Sequence, residues 1–221
     1  FGIGGASCFN LTMGEGNREK AAYYIGNAVS MLFLCGLALC LITQLFLTSS
    51  LKFFGAPQDV LPYAQEYVRI TALGFPFLLL TTGGGHLIRA DGNPRMTMIC
   101  NLTGAIINTV LDALFVMVFQ MGMAGAALAT VIGQVISAVI VICYLYHFKT
   151  VPLEKKHLIV NMEYTGKIAS IGAASFFNQL AMMIVQIVMN KSLTYYGALS
   201  VYGESIPLAC AGIITKVLFF V

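Results

Sequence analysis

Long apolar runs separated by short polar intervals extend along the whole chain. Runs of about 20 residues are long enough to cross a hydrocarbon core of roughly 30 Å as helices. Segments of about ten residues that alternate apolar with polar positions, which are typical of membrane strands, are missing from the sequence. The pattern predicts an all-α fold, a polytopic membrane helical bundle.

The polar intervals delimit about six complete spans and a partial one at the N-terminus. The partial span is residues 1–13, and the complete spans are predicted at residues 21–49, 61–86, 96–120, 124–148, 168–189 and 201–221. Pro76 lies inside the second complete span, so we expect a kink or local unwinding there. Because the chain starts at Phe1 without Met and ends in an apolar run, we expect it to be a fragment of a longer protein.

Composition and charge narrow the class of protein. Hydrophobic residues make up 58% of the 221 residues and charged residues only 10%, which is too little polar surface for a soluble globule. The net charge of +3 is spread over loops rather than gathered into a stripe, so we expect no nucleic-acid partner. The lipid bilayer is the first partner that the sequence implies.

Basic residues are concentrated in alternate intervals between the spans. One set of intervals contains Arg18, Lys20, Arg89, Arg95, Lys149, Lys155, Lys156 and Lys167, and the other contains Lys52, Arg69 and Lys191. The positive-inside rule places the first set in the cytoplasm. The longest polar interval predicts three regions: a first lobe at 1–148, a cytoplasmic inter-lobe loop at 149–166, and the start of a second lobe at 167–221.

One carboxylate lies deep in an apolar span. Asp112 is the only ionisable side chain between Met96 and Gln120, and Asn108 precedes it by one helical turn. Extending the same helical face backward adds Gly104 and Asn101, so a polar seam follows one side of the helix. A charged group at this depth costs at least about 2.5–3.5 kcal/mol, so the seam is expected to face a bundle interior or a cavity.

A carboxylate at this depth in the membrane can serve either of two functions. Because desolvation favours the protonated form, it can take and release a proton. It can also bind a small cation such as Na⁺ with neutral oxygens, including the Asn108 amide and a nearby hydroxyl. A structural role, as a hydrogen-bond anchor between helices, is the third interpretation.

The next span presents small residues to the seam. Gly125, Ala129, Gly133 and Ser137 recur every four residues, and the tight "MGM" turn makes the Asp112 helix their expected neighbour. Thr130 adjoins this ridge, so its hydroxyl is expected near Asn108 and Asp112. In the span at 168–189, a polar and thioether-rich face suits varied organic ligands, or alternatively fills a core; its members are Asn178, Gln179, Met182 and Gln186.

Several of these motifs together resemble the MATE (multidrug and toxic compound extrusion) antiporters, in particular the bacterial subgroup that includes the MepA-type pumps. They are "GEGNREKA", "IRADGNPRMTM", "IINTVLDALFVMVFQMGMAGAALATVIGQ" and "YYGALSVYGESIPLACAGIITKV". The resemblance implies a twelve-helix, two-lobe transporter, of which this chain would run from late in the second helix through most of the eighth. It also implies that Asn108, Asp112 and Thr130 belong to a first-lobe proton or sodium site.

The resemblance implies an H⁺- or Na⁺-coupled multidrug antiporter of the bacterial inner membrane, not an enzyme, with no cofactor other than the coupling ion. Expected cargoes are amphipathic, often cationic, drugs or metabolites, and the full-length protein is expected to act as a monomer. The family's acidic residue on the first helix has no counterpart here. A flippase for lipid-linked saccharides is the alternative, although only Lys216 and Arg69 could supply cations near membrane depth.

Overall fold

The computed structural model of the chain describes residues 1–53, 61–199, 207 and 210–214, and these ranges contain helices and no strand. The α-helices are α1 (Gly2–Gly14), α2 (Arg18–Leu45), α3 (Leu47–Phe53), α4 (Leu61–Thr71), α5 (Phe75–Ala90), α6 (Pro94–Asp112), α7 (Gly122–Tyr146) and α8 (Met162–Ala198). The predicted all-α fold is therefore confirmed.

Five helical stretches within the described residues are long and apolar enough to cross a membrane. They are Arg18–Leu45, Leu61–Ala90, Pro94–Val118, Gly122–Tyr146 and Met162–Gly197. These match five of the six complete spans expected from the sequence, with ends that differ by at most four residues in the first four spans and by six and eight residues in the fifth. The sixth expected span, at 201–221, lies mostly outside the described residues, and so does Lys216.

The predicted irregularity at Pro76 is present. A single 3₁₀ turn at Ala72–Gly74 separates α4 from α5, and the Phe75 N–H bonds back to Ala72 O. Proline has no N–H for a helical hydrogen bond, so a local change of helix type at this point has an identifiable cause. Gly36 of α2 lies against this turn, where an added Cβ would fall 2.5 Å from the Pro76 Cα.

Helix α5 lies at the centre of the first part of the chain and packs against α1, α2, α6 and α7. Its Leu87 and Ile88 are fully buried, as are Phe9 of α1 and Ile25 of α2. Ile168, near the start of α8, completes the same cluster. The beginning of α8 is therefore part of the packing of the first helices.

The chain divides into two compact units, Phe1–Ala174 and Ser175–Val221. We call residues 147–161, which join α7 to α8, the connector. The connector lies within the first unit. The division into lobes at 148 and 167 that the sequence suggests stays a prediction.

Asp91 holds the start of the connector. Its carboxylate accepts hydrogen bonds from the Tyr144 hydroxyl at 2.8 Å, from the backbone N–H groups of Lys149 and Thr150 at 3.1 Å each, and from the Thr150 hydroxyl. Backbone groups bonded to a carboxylate form charge-assisted hydrogen bonds, which are stronger than neutral ones. The loop before α6 and the connector therefore lie at the same end of the bundle, the end that the basic residues predict to be cytoplasmic.

Asn27 holds the other end of the connector. This side chain is completely buried on α2, donates to the Tyr23 and His157 carbonyls at 2.9 and 3.4 Å, and accepts from the Asn161 N–H at 2.7 Å. The Ser30 hydroxyl, one turn along, donates to Leu158 O at 2.6 Å. Polar groups of α2 thus bond to backbone atoms of the connector that could not pair within a helix.

Candidate functional site

Helices α6 and α7 approach each other closely through small residues, as the sequence predicts. Gly125, Ala129, Gly133 and Ser137 of α7 are all buried, and an added Cβ on Gly133 would fall 2.9 Å from Gly104 O of α6. The Ser137 hydroxyl donates to Cys100 O at 2.9 Å, which ties the two helices together. Such close contact positions the polar seam of α6 against α7.

The structure brings Asn108 and Thr130 together. The Asn108 amide nitrogen donates to the Thr130 hydroxyl across a distance of 3.3 Å, and both side chains are half-buried. The Thr130 hydroxyl also lies 2.9 Å from Ala126 O, to which it donates. Because its only proton is used there, Thr130 acts as an acceptor toward Asn108.

Tyr67 of α4 is a third member of this group that sequence reasoning missed. Its hydroxyl lies 3.5 Å from the Thr130 hydroxyl and serves as the donor, since the Thr130 proton is bonded to Ala126 O. Tyr67 and Thr130 are 63 positions apart in the sequence, so no local spacing could have indicated this contact. The only available signal was a tyrosine on an amphipathic helix.

Asp112 is the last residue of the regular part of α6, one turn beyond Asn108. Its Oδ1 atom is buried and has no hydrogen-bond partner among the described residues. Directly after it, Ala113–Val118 form a π-helical turn, a wider helix type that often occurs at functional sites. The turn into α7 then uses left-handed backbone at Gln120 and Gly122, with φ of 53° and 58°.

A cleft of about 240 Å³ lies beside this group, between α5, α6 and α7. Its polar lining comprises Thr81, Thr82, Asn101, Asn108, Thr130, Gln134 and Ser137. Asp112 is not among the lining residues. The predicted seam therefore does border a cavity along Asn101, Gly104 and Asn108, and Asp112 lies one turn beyond it.

Gln134 is a second buried polar group without a partner. Its Oε1 atom forms no hydrogen bond among the described residues and lies against Gly74, where only a residue without a Cβ leaves it room. An unpaired buried acceptor typically costs about 1–3 kcal/mol. Two such oxygens, on Asp112 and Gln134, thus occur on the facing helices α6 and α7.

The four residues suggested as substrate contacts all lie on α8, in the second compact unit. Asn178, Gln179, Met182 and Gln186 are exposed, and Gln186 donates to Asn190 at 3.1 Å within the helix. Their role in binding stays a prediction.

The cleft lining supplies amide and hydroxyl oxygens and contains no basic side chain, and the Asp112 carboxylate lies one turn beyond it. Carboxylate, amide and hydroxyl oxygens are ligands for hard cations, and a desolvated carboxylate is also a proton acceptor. No cluster of three or more His, Cys, Asp or Glu side chains occurs in the described part of the chain, so a transition-metal centre has no ligand set there. The chemistry of the group fits a proton or a monovalent cation.

Comparison with known proteins assigns the family. The sequence model of the MatE family matches residues 1–114, slightly more than half of the chain. The chain belongs to the MatE family. This MatE chain is therefore a multi-pass membrane protein of a transporter family, as the motif resemblance implies.

Two relatives of this MatE chain are multidrug export proteins named MepA. The one from Staphylococcus haemolyticus is 28% identical over 211 residues, covering 94% of this chain and 47% of the relative. The one from Staphylococcus aureus is also 28% identical over the same length. The chain thus spans about half the length of the curated relatives it matches.

Solved structures support the fold of this MatE chain. A MATE protein in the bent conformation superposes with a TM-score of 0.84 at 21% identity, over 99% of this chain and 48% of that one. An outward-facing MATE family multidrug resistance transporter gives 0.79 at 22% identity, over 89% of this chain and 44% of that one. At these identities the likeness concerns the fold alone.

Proposed function

We propose that the full-length protein is a cation-coupled multidrug antiporter of the bacterial inner membrane. It exports amphipathic, often cationic, organic compounds by alternating access while H⁺ or Na⁺ enters. The observation that carries the proposal is the buried Asp112 Oδ1 without a partner, one turn beyond the Asn108–Thr130 hydrogen bond.

When a carboxylate oxygen is buried and unpaired, the stability of the conformation that buries it depends on whether a proton or a cation is bound there. One oxygen of the Asp112 carboxylate is buried and unpaired, so a proton or a cation bound there would stabilise the conformation that encloses it. An ion shifts the balance between two conformations only if its affinity for them differs. Asp112 supplies such a difference if one conformation opens the site to water and the other does not.

Neighbouring groups orient the site. The Asn108 amide nitrogen is bonded to Thr130, which directs the amide oxygen away from that hydroxyl and leaves it free to serve as a cation ligand. Tyr67 and Ala126 fix the Thr130 hydroxyl in turn. These neighbours of Asn108 and Asp112 therefore favour ion binding over a simple anchor between helices.

The relatives indicate the class of compound that the full-length protein transports. Both Staphylococcus proteins described above are multidrug export proteins, and on that basis we assign small organic drugs or metabolites as the cargo of the full-length protein. The coupling ion would be bound through Asp112, Asn108 and Thr130, without another cofactor. The exposed face of Asn178, Gln179, Met182 and Gln186 is the proposed drug-contacting surface of α8.

Transport in proteoliposomes tests the proposal. The full-length protein is reconstituted, pH and Na⁺ gradients are imposed separately, and uptake of a fluorescent organic cation is measured. The Asp112→Asn variant should lose gradient-driven uptake, because an amide neither takes up a proton nor supplies negative charge. Glu15→Gln, which removes an exposed carboxylate at the end of α1, should retain it.

Two results would overturn the assignment. Wild-type protein that responds to neither gradient is not a cation-coupled antiporter. Asp112→Asn protein that transports as well as wild type, at equal reconstitution, shows that Asp112 does not couple the ion.

A further inference from the structure

A second cavity lies on the opposite side of α5 and α7 from the candidate ion site. It is a groove of about 470 Å³ between α2, α5, α7 and the connector. Its walls are mainly apolar and include Phe33, Leu34, Phe77, Leu80, Ile142 and Leu158. Cavities of roughly 300–1,000 Å³ with such walls commonly hold organic ligands.

The groove opens along spans that are in contact with lipid. Phe33 and Leu34 of α2 are 43% and 47% exposed, although they lie in the middle of an apolar stretch of 28 residues. Apolar side chains exposed at this position on a spanning helix face acyl chains rather than water. The outer wall of the groove is therefore open to the bilayer.

The connector that closes one end of the groove also carries exposed apolar side chains. Ile159 and Val160 of the connector are 70% and 41% exposed, and Met162 at the start of α8 is 85% exposed, a few residues after the charged pair Glu154 and Lys156. A short apolar run beside charged residues is typical of a segment that lies in the membrane interface. The connector thus marks the level at which headgroups meet acyl chains.

Two side chains of opposite charge form an ion pair at this end of the groove. Glu154 lines the groove, and its carboxylate lies 3.0 Å from the Lys156 amine. Their mutual hydrogen bond lowers the pKa of the Glu154 carboxyl and raises the pKa of the Lys156 amine, so both are charged at neutral pH. One cation and one anion complement a headgroup that itself carries a phosphate and an ammonium.

We propose that this groove is a binding site for a zwitterionic phospholipid of the phosphatidylethanolamine type from the cytoplasmic leaflet. One acyl chain lies along Phe33, Leu34 and Leu80. The phosphate pairs with Lys156 and the ammonium pairs with Glu154. The site is separate from the ion site, because it uses other faces of α5 and α7.

The transported drug is a poorer match for the groove. The polar groups of the groove are concentrated at one end, beside the connector, whereas the rest of its wall is apolar. A molecule with one charged end and one long apolar tail fits that distribution. The bilayer supplies such a molecule in large excess at this depth.

Photo-crosslinking in lipid nanodiscs tests the proposal. The full-length protein is placed in nanodiscs that contain phosphatidylethanolamine with a diazirine on one acyl chain, and labelled peptides are located by mass spectrometry. The side chains of Phe33, Leu34 and Leu80 should carry severalfold more label than Leu39, which is exposed on a different face of α2. Labelling that is uniform over all lipid-facing positions would mean general contact with the bilayer, and would overturn the site.

A pair of substitutions on one helix provides the matched control. Leu34→Trp fills the groove and should reduce labelling at Leu80 severalfold, whereas Leu39→Trp adds the same bulk on a different face of α2, where Leu39 is 46% exposed, and should leave it unchanged. Equal effects of the two variants would contradict the proposal. So would an unlabelled groove in the wild type, which would show that another part of the full-length protein covers it.

The headgroup is tested separately. Lys156→Ala should reduce groove labelling by the phosphatidylethanolamine probe severalfold, while Lys149→Ala, which removes another exposed connector cation, should not. A phosphatidylglycerol probe, which lacks the ammonium, should label the wild-type groove more weakly. Equal labelling by the two probes would overturn the headgroup assignment, and neither result depends on whether the protein transports drugs.

Discussion

At the scale of single residues, the Thr130 hydroxyl is the most constrained group in the candidate ion site. It donates to Ala126 O and accepts from Asn108 and Tyr67, so its proton and both lone pairs are used. A threonine bonded only to its own helix would be interchangeable with valine. The two additional bonds give Thr130 a positioning role toward Asn108.

We therefore predict different outcomes for two substitutions at Thr130. Thr130→Val keeps the shape but removes the acceptor, leaving the Asn108 amide without its partner at a cost of about 1–3 kcal/mol. The ion concentration that gives half-maximal transport should rise about tenfold or more, which corresponds to about 1.4 kcal/mol. Thr130→Ser keeps the hydroxyl and should stay near the wild-type value; the measurement is ion-dependent uptake in proteoliposomes.

The sequence indicated part of this site and not the rest. Asn108 and Asp112 are one helical turn apart, and the short turn after α6 makes α7 its neighbour, so the contact between Asn108 and Thr130 could be predicted locally. Tyr67 reaches the site through tertiary packing of α4 on α7. The π-helical turn after Asp112 has no composition signal, because Ala113–Val118 are ordinary apolar residues.

At the scale of elements, close contact between backbones decides how the connector is held. Gly26 of α2 lies against the His157 backbone, where an added Cβ would overlap the carbonyl group. The backbone of the connector is already held by hydrogen bonds from Asn27 and Ser30. It therefore cannot move away from an added Cβ without weakening those bonds. This contact brings the side chains of α2 within bonding distance of the connector.

We predict that Gly26→Ala destabilises the protein by about 1–3 kcal/mol, as overpacking of a tight contact does. Gly166→Ala is the matched control, because nothing lies within 4 Å of the position of its Cβ and alanine is the better helix former by up to about 1 kcal/mol. The Gly26 variant should unfold at a lower temperature in detergent and be cleaved faster at Lys156. If the two variants behave alike, the connector is not held through this contact.

At the scale of the whole molecule, the bundle has one polar end and one less charged end. The loop before α6 and the connector are bonded together through Asp91, and the Glu163–Lys167 pair lies in the turn that follows. At the far end, the described residues form bonds between neutral groups: the Gln44 amide donates to Arg69 O at 2.7 Å and the Gln65 amide donates to the Thr48 hydroxyl at 3.0 Å. This asymmetry accords with the orientation inferred from the basic residues.

The orientation gives a direct labelling prediction. In a full-length variant whose native cysteines are replaced, a cysteine at Met121 should react with a membrane-impermeant maleimide added to intact cells. A cysteine at Glu15 should react only after the cells are permeabilised. Both positions are exposed, so the difference reports on the side of the membrane, and the reverse pattern would invert the topology.

The sequence predicted the helices of the first unit well because hydropathy alone specifies spans in a bilayer. It did not predict that the connector folds against α2. The hydrogen bonds responsible join Asn27 to His157 and to Asn161, which lie 130 and 134 positions after it in the sequence. They involve one buried amide rather than a repeating pattern. Long-range pairing of single polar groups leaves no periodic signal.

The position of these bonds along the chain has a consequence for biosynthesis. The long-range hydrogen-bond partners of the connector, within the described residues, lie on α2 and on the loop before α6, and both leave the ribosome before residue 161 does. The connector can therefore bond to these partners before Ser175 and the residues after it have left the ribosome. Ordering of the connector within the first unit then does not have to wait for the second unit to be inserted.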